Sequence, residues 1–593
     1  MKEERTCQNC KNLFIIEDED FQFYKKINVP TPTFCRECRL KRRMIWRNER
    51  SLYKRKSDVP GNHEAIISMY APEKDNVVYE QSYWWSDNWD PMEYGTEYDF
   101  STPFFGQFKN LFKRIPQLSL SVKNMVNSLY CNVSADEKDC YLISASGSDE
   151  RVLYSNRIAF TKDSCDLYIS DRNELCYEVV DSSQCYQLFF SEKCDSCVDS
   201  YFLYDCSNCS NCFGCVGLRN KNFFIYNEPY KKEDYLKKMR EFDLENLDFL
   251  EKEKKHLSDL SKKIPRRFMS SVKSTGCTGD NIKNSKNCKY GFDVFSTEDS
   301  KYLTWTGFGM KDSYDIGVGG GLNLELLYET WDISYGGNKI FFSAVSYGCH
   351  DLFYSMYCHG SHHLFGCVGL RNKEYCILNR QYTKEEYEIL VPKIIQHMKD
   401  SQYIDKNGRV YGYGEFFPFE LSPFAYNETI VQEYFPLTKE QAINQGYAWR
   451  DGERGEYKTT KSANDLPARI TEVSDEIVNE IIGCFHKKEC IHQCVGAFRI
   501  VPQELEFYRR MKLPLPRLCP NCRHEERLKK RNPMKLWKRK CQCAGEKSEN
   551  GIYKNTTTHE HGNNMCSCEF ETSYAPDREE TVYCENCYQS EVV

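Results

Sequence analysis

The chain has no run of eighteen or more apolar residues, and its opening, "MKEERTCQNC", lacks the apolar stretch that begins a signal peptide. The first absence excludes a membrane-spanning helix and the second an export signal, so the sequence reads as soluble and cytoplasmic, with no membrane partner. Catalytic signatures are missing too. There is no GxxxxGK[ST] phosphate loop, no HExxH, no GxSxG, and no HxE followed by PCxxC. Nothing therefore marks nucleotide hydrolysis, zinc proteolysis, acyl transfer or base deamination, and the chain reads as non-enzymatic.

Cysteine is abundant instead, with 32 in 593 residues. In a long chain without an export signal these are thiolate ligands or small buried side chains rather than disulfides. With 40% hydrophobic and 14% aromatic residues the composition is globular, and the length exceeds what one core can serve. Several folded domains are expected. The net charge of −7 hides an asymmetry: residues 36–56 carry net +8 and residues 523–540 net +7, leaving −22 on the remainder.

Those two basic stretches belong to one motif written twice. A shift of 484 aligns Cys10, Phe14, Phe23, Tyr24, Pro30 and Pro32 with Cys494, Phe498, Phe507, Tyr508, Pro514 and Pro516. It also sets Cys35 and Cys38 on Cys519 and Cys522, and Arg47 and Asn48 on Arg531 and Asn532. Each copy has a cysteine pair, about twenty-five residues of mixed chain, and a CxxC that opens a basic helix-like segment. Two short-spaced pairs supply the four soft ligands that tetrahedral zinc takes. The candidate sets are Cys7, Cys10, Cys35 and Cys38, and Cys490, Cys494, Cys519 and Cys522. A further ribbon follows in the C-terminal copy only, with Cys541, Cys566, Cys584 and Cys587 as preferred ligands and Cys543 and Cys568 as substitutes. At the other end Ser57, Glu80 and Tyr83 stand where Cys541, Cys584 and Cys587 stand here, so that copy reads as a degenerate remnant. Two to three Zn(2+) ions per chain are expected.

The pattern "CQNCKNLFIIEDEDFQFYKKINVPTPTFCRECRLKRR" resembles the treble-clef zinc-ribbon family, over about 45 residues at each end. The resemblance implies a zinc knuckle, a hairpin and a helix starting near the second CxxC, and no activity. The chain as a whole is similar to cysteine-rich, zinc-ribbon-containing proteins of uncultivated bacteria.

The middle carries a second duplication. "FGCVGLRNKNFFIYNEPYKKEDY" (213–235) recurs as "FGCVGLRNKEYCILNRQYTKEEY" (365–387), a shift of 152. Short aromatic or β-branched runs recur at nine- to eleven-residue intervals, which suggests a β-solenoid or another all-β array. The run "CDSCVDSYFLYDCSNCSNCFGC" (194–215) looks like a ferredoxin. In the duplicate, however, Cys194, Cys209 and Cys212 become Ser346, Ser361 and Leu364, which favours inward stacking over an iron–sulfur cluster. His350, His359, His362 and His363 with Cys349 and Cys358 form a second possible metal cluster, for which surface turns are the plainer reading.

The fold class is thus multidomain, mainly β with α: terminal treble-clef zinc modules flanking two duplicated β-solenoid-like arrays capped by helices. The boundaries are a zinc module over 1–60, a degenerate ribbon and aromatic linker over 61–118, array copies over 119–228 and 270–380, and helical segments over 229–269 and 381–402. An aromatic linker over 403–475, a zinc module over 476–540 and a zinc ribbon over 541–593 complete the chain. Arg39, Arg42, Arg43, Arg47 and Arg50, with Arg523, Arg527, Lys529, Lys530 and Arg531, form a candidate nucleic-acid surface for RNA or DNA, with Trp46 and Trp537 nearby for stacking. Two other readings are a protein scaffold, whose basic stretches pair with the acidic body, and a zinc nuclease resting on His524 alone.

Overall fold

The computed structural model describes residues 2–62, 64–320, 322–451, 457–487 and 493–592. Among them, mostly β structure with some helix is arranged around two large parallel sheets, and no helix is long and apolar enough to cross a membrane.

In the first sheet every parallel partner lies 12 residues on: Val122 opposite Ser134, Asn132 opposite Ser144, Tyr177 opposite Phe189, Ser210 opposite Asn222. The repeat is therefore longer than the nine to eleven residues read from the aromatic runs. Its deeper period is three. From Asn124 to Tyr226 every third residue is left-handed, and apart from Gly214 and Gly217 these are all non-glycine. An L-residue in this region costs about 1–2 kcal/mol, so something must hold it there. Its N–H donates to a carbonyl in the preceding turn, as from Asp139 to Val126 and from Tyr154 to Tyr141.

The residue after each left-handed corner points inward. This row holds Cys131, Ile143, Val152, Leu167, Cys176, Val179, Cys185, Leu188, Cys197 and Leu203, all buried in one apolar column. Serine is interleaved because its hydroxyl satisfies the backbone. Ser155, Ser182 and Ser200 accept from the N–H of Leu167, Cys194 and Cys212, 12 residues on, and Ser155 and Ser200 donate to the carbonyl two residues back. Cysteine thiols make the same backward contact, Cys206 to the Tyr204 carbonyl and Cys209 to that of Ser207.

The second sheet keeps the spacing of three from Asn281 to Phe308 and from Lys339 to Leu378. Between these stretches four-residue steps, such as Tyr335 to Lys339, lengthen the turns, so that Tyr314 faces Tyr328 and Trp331 faces Ala344. Its interior column runs through Ile282, Cys288, Leu303, Ile316, Leu352, Cys358 and Cys367. Both sheets end in a short hairpin, Asn222–Ile225 with Glu228–Pro229 and Glu374–Ile377 with Arg380–Gln381, followed by helices.

The terminal regions cross over. Residues of the N-terminal module, from Cys7 to Trp46, share a core with Tyr314, Tyr328, Trp331 and Phe365 of the second sheet. The C-terminal module, from Cys484 to Cys522, shares one with Tyr177, Phe189, Phe202 and Phe213 of the first. The aromatic segment over 83–108 is more regular than its proline and glycine content suggests. It runs into the helix Phe104–Arg114, whose Phe104, Phe105 and Phe108 are buried against Tyr354, Phe365 and Phe417.

Candidate metal centres and clamp helices

Three groups of four cysteines bring their sulfurs within 4.8 Å of one another and could hold a metal ion: Cys7, Cys10, Cys35 and Cys38; Cys484, Cys494, Cys519 and Cys522; Cys541, Cys566, Cys584 and Cys587. In the first, strands Glu3–Thr6 and Leu13–Ile16 form the hairpin that carries the knuckle, which Lys11 closes with φ 62°. Cys35 is the N-cap of helix Arg36–Met44, and Cys38 sits in its first turn. Cys519 caps Pro520–Lys529 in the same way.

Cys490, assigned to the second set from sequence, lies outside the described residues. Among the described residues Cys484 holds that position, with its Sγ 3.8 Å from that of Cys522. It stands seven residues before the place that the shift of 484 gives to Cys7, so the register conceals it.

The sulfur separations of 3.7 Å (Cys10–Cys35), 3.8 Å (Cys494–Cys519) and 3.9 Å (Cys566–Cys584) are far too long for disulfides. They match the ~3.8 Å edge of a tetrahedron built on metal–sulfur bonds of about 2.3 Å. One outer hydrogen bond recurs in all three groups, where the third cysteine's N–H donates to the first cysteine's Sγ: Cys35 to Cys7 at 3.2 Å, Cys519 to Cys484 at 3.3 Å, and Cys584 to Cys541 at 3.2 Å. Hydrogen bonds from Cys35 and then Cys38 pull the Cys7 thiol far below its usual range, and the contact with Cys541 lowers Cys584 to about 4. Their partners are pushed the other way, Cys35 and Cys519 each up to about 12, so one thiol of a group gives up its proton most readily and a bound dication would displace the rest.

The cysteines of the central columns divide in the same way: contacts with neighbouring thiols lower Cys209 and Cys215 and bring Cys277 to about 6. Burial pushes Cys131 and Cys176 up to about 12 and Cys349 up to about 11, which keeps them neutral thiols. Among the described residues no converging ligand group comes from 194–215. His350, Asp351 and His363 do converge on the outside of the second sheet, while Cys349 and Cys358 are buried in its interior.

The basic residues that follow each CxxC are mostly turned inward. Arg42 and Arg43 are 0% and 1% exposed. Arg39 meets Asp315 at 2.9 Å, Arg42 meets Glu329 and Glu415 at 2.7 Å each, and Arg43 meets Glu329 at 3.2 Å. Arg47 pairs with Glu49 and Asp332. At the other end Arg523 meets Asp166 at 2.7 Å and Glu504 at 3.2 Å, Arg527 also meets Asp166, and Arg531 pairs with Asp181 and Asp293. Arg50 and Lys530 reach Glu433 and Glu192, and only Lys529 is well exposed, beside Glu526. Trp46 is buried edge-to-face on Phe112 rather than offered for stacking.

Asp166, Asp181, Asp293, Asp315, Glu329 and Asp332 all occupy left-handed corners of the two sheets. The corner geometry turns a row of acids toward the helices. His524 is buried 3.3 Å from Glu433 and edge-on to Tyr168, its pKa lowered to about 4 by burial, and it is not among the atoms converging with the cysteines. No protein-family model and no curated protein matches the chain.

Proposed function

We propose that this chain is a non-enzymatic zinc protein in which two duplicated β-solenoid arrays are locked by terminal zinc-ribbon modules into a scaffold for a protein partner. The observation that carries the reading is the commitment of the clamp guanidiniums. Arg39, Arg42, Arg43, Arg523 and Arg527 are buried against carboxylates of the arrays and the adjoining segments, so binding phosphates would require those pairs to open. Zinc is favoured because four thiolates at tetrahedral spacing make a closed structural site with no position left for water. Duplication is supported by the paired hairpins and by Gly214, Gly217, Gly366 and Gly369, with φ of 65°, 71°, 69° and 72°. A Cβ at Gly214 would meet the Tyr226 ring at 2.5 Å and one at Gly366 would meet Phe104 at 2.8 Å, so close packing as well as φ requires glycine there.

The partner surface is the open groove of about 1150 Å³ between the arrays, lined by Arg157, Ser170 and Asp181 from one and by Phe308, Tyr335 and Tyr347 from the other. Tyr335 and Phe308 are exposed at 70% and 50%, and aromatic side chains open to solvent suit protein recognition. The test has two arms. A photo-crosslinking residue in place of Tyr335 should capture a protein and no nucleic acid. Wild type should pass through immobilised DNA and RNA at low salt. Retention that falls steeply with salt and disappears in Arg42→Gln/Arg531→Gln with zinc content unchanged would replace the scaffold by nucleic-acid binding.

A further inference from the structure

Cys587 belongs to two ligand groups at once. Besides closing the set with Cys541, Cys566 and Cys584, its sulfur lies within 4.8 Å of ligand atoms from Cys543, His559 and His561. The nearest contacts are 3.3 Å to His561 Nε2 and, within the second group, 3.1 Å between Cys543 Sγ and His559 Nδ1. We propose that the C-terminal module holds a two-metal centre: one zinc bound by Cys541, Cys566 and Cys584, a second by Cys543, His559 and His561, with the Cys587 thiolate bridging them.

The surroundings of the second position are built for a metal. A ligating histidine normally donates its other ring N–H to a fixed acceptor. His559, buried, places Nε2 2.7 Å from Glu591 Oε1, and His561 places Nδ1 2.7 Å from the Asn564 carbonyl. Each ring therefore turns its remaining nitrogen toward the thiolates. Glu591 is fixed in turn by the Tyr553 hydroxyl and the Thr556 N–H, both at 2.8 Å. The Asn555 amide donates to Cys543 Sγ at 3.2 Å and is held by the Tyr583 hydroxyl at 2.8 Å. Cys568, by contrast, is exposed and enters neither group.

Sharing one thiolate also suits the charge. Five cysteines give up five protons to solvent and two neutral imidazoles bind, so two dications and five thiolates carry net −1. A separate four-thiolate zinc would carry net −2 by itself. The bridge needs no residue beyond those already within reach.

The inference rests on the zinc reading of the cysteine groups, and metal counting separates the two. The full-length protein, reconstituted with zinc and freed of loosely held metal, should contain four ions per chain, one for each converging group that includes cysteine. His561→Ala should lower the count to three and Cys587→Ser to two. Cys38→Ser should remove one ion from the N-terminal group and leave the C-terminal pair intact. If Cys38→Ser removes none, the zinc reading itself fails. A misfolded variant would lose metal as well, so the wild type carries the second measurement. After cobalt replacement, the two C-terminal ions should be antiferromagnetically coupled through the thiolate, lowering the magnetic moment per cobalt as the pair fills. Three zinc ions in the wild type, loss of one ion only in Cys587→Ser, or magnetically independent cobalt ions would each overturn the bridge.

Discussion

At the scale of single residues, the three-residue rhythm of the arrays explains side chains that would otherwise look misplaced. Inward positions of the first array accept cysteine, serine, valine, isoleucine and leucine alike, and they also hold Glu137 and Asp149, one turn apart and both buried. Burial, reinforced for Asp149 by the charge of Glu137, raises these carboxyls to about 7 and about 8. The folded state therefore binds protons that the unfolded chain, titrating near pH 4, has already lost. Their contribution is fully present below about pH 4 and disappears as pH rises through about 7 to 8. Asp149→Asn keeps an acceptor for the Thr161 N–H and removes the charge. Melting temperatures measured between about pH 5.5 and pH 9 should fall by several degrees more in the wild type than in the variant. Parallel curves would show that the pair does not titrate in this range. The terminal cysteine groups are common to both proteins, so their own pH response cancels in the difference.

At the scale of elements, each clamp helix is a charged plug rather than an apolar one. Its N-cap and first turn carry two cysteines of a converging group, and its next turns carry arginines that meet acids on array corners. Buried ion pairs of this kind add little net stability, but breaking one leaves an uncompensated charge, at a cost of about 3–5 kcal/mol. Asp315→Asn leaves Arg39 and Arg43 to share Glu329 with Arg42, and Asp166→Asn leaves Arg523 with Glu504 alone and takes the paired carboxylate from Arg527, so each leaves buried positive charge undercompensated. Each should lower the stability measured by urea unfolding by about 3–5 kcal/mol. Lys529→Gln, which removes an exposed pair with Glu526, should change it by less than about 1 kcal/mol. Equal effects from all three would mean that the clamps are not load-carrying contacts. Much of this was legible in sequence. Paired spacing exposed most of the cysteines that converge, because a knuckle of two or three intervening residues brings two sulfurs to one side of the chain. Cys484 escaped because its knuckle is longer, and His559 and His561, spaced as HxH, escaped because the module's six cysteines already offer more thiols than one zinc takes. The excess of basic charge was legible as well. Its direction was not, since Asp315 and Glu329 lie nearly three hundred residues from the arginines they hold.

At the scale of the whole molecule, what matters is which module holds which array. The N-terminal region pairs Val78–Tyr79 with Gln117–Leu118 at the threshold of the first array, yet its helix Arg36–Met44 docks on the second. The C-terminal region pairs Val582–Tyr583 with Arg266–Arg267 before the second array, while its helix Pro520–Lys529 docks on the first. Each array is thus met by both ends of the chain, by a strand from one and a cysteine-capped helix from the other. Chain order alone would place the effect of a lost metal on the nearest array. The crossed arrangement places it on the farther one. Hydrogen exchange followed peptide by peptide decides between them. Cys38→Ser should raise exchange over 311–332, where Asp315, Glu329 and Asp332 receive the N-terminal arginines, and leave 162–181 near wild type. Cys522→Ser should do the reverse, exposing 162–181 around Asp166 and Asp181 and sparing 311–332. If each variant loosens the array nearest in sequence, or both arrays to the same extent, the metal centres stabilise only their own modules and the crossed clamp carries no strain between the ends.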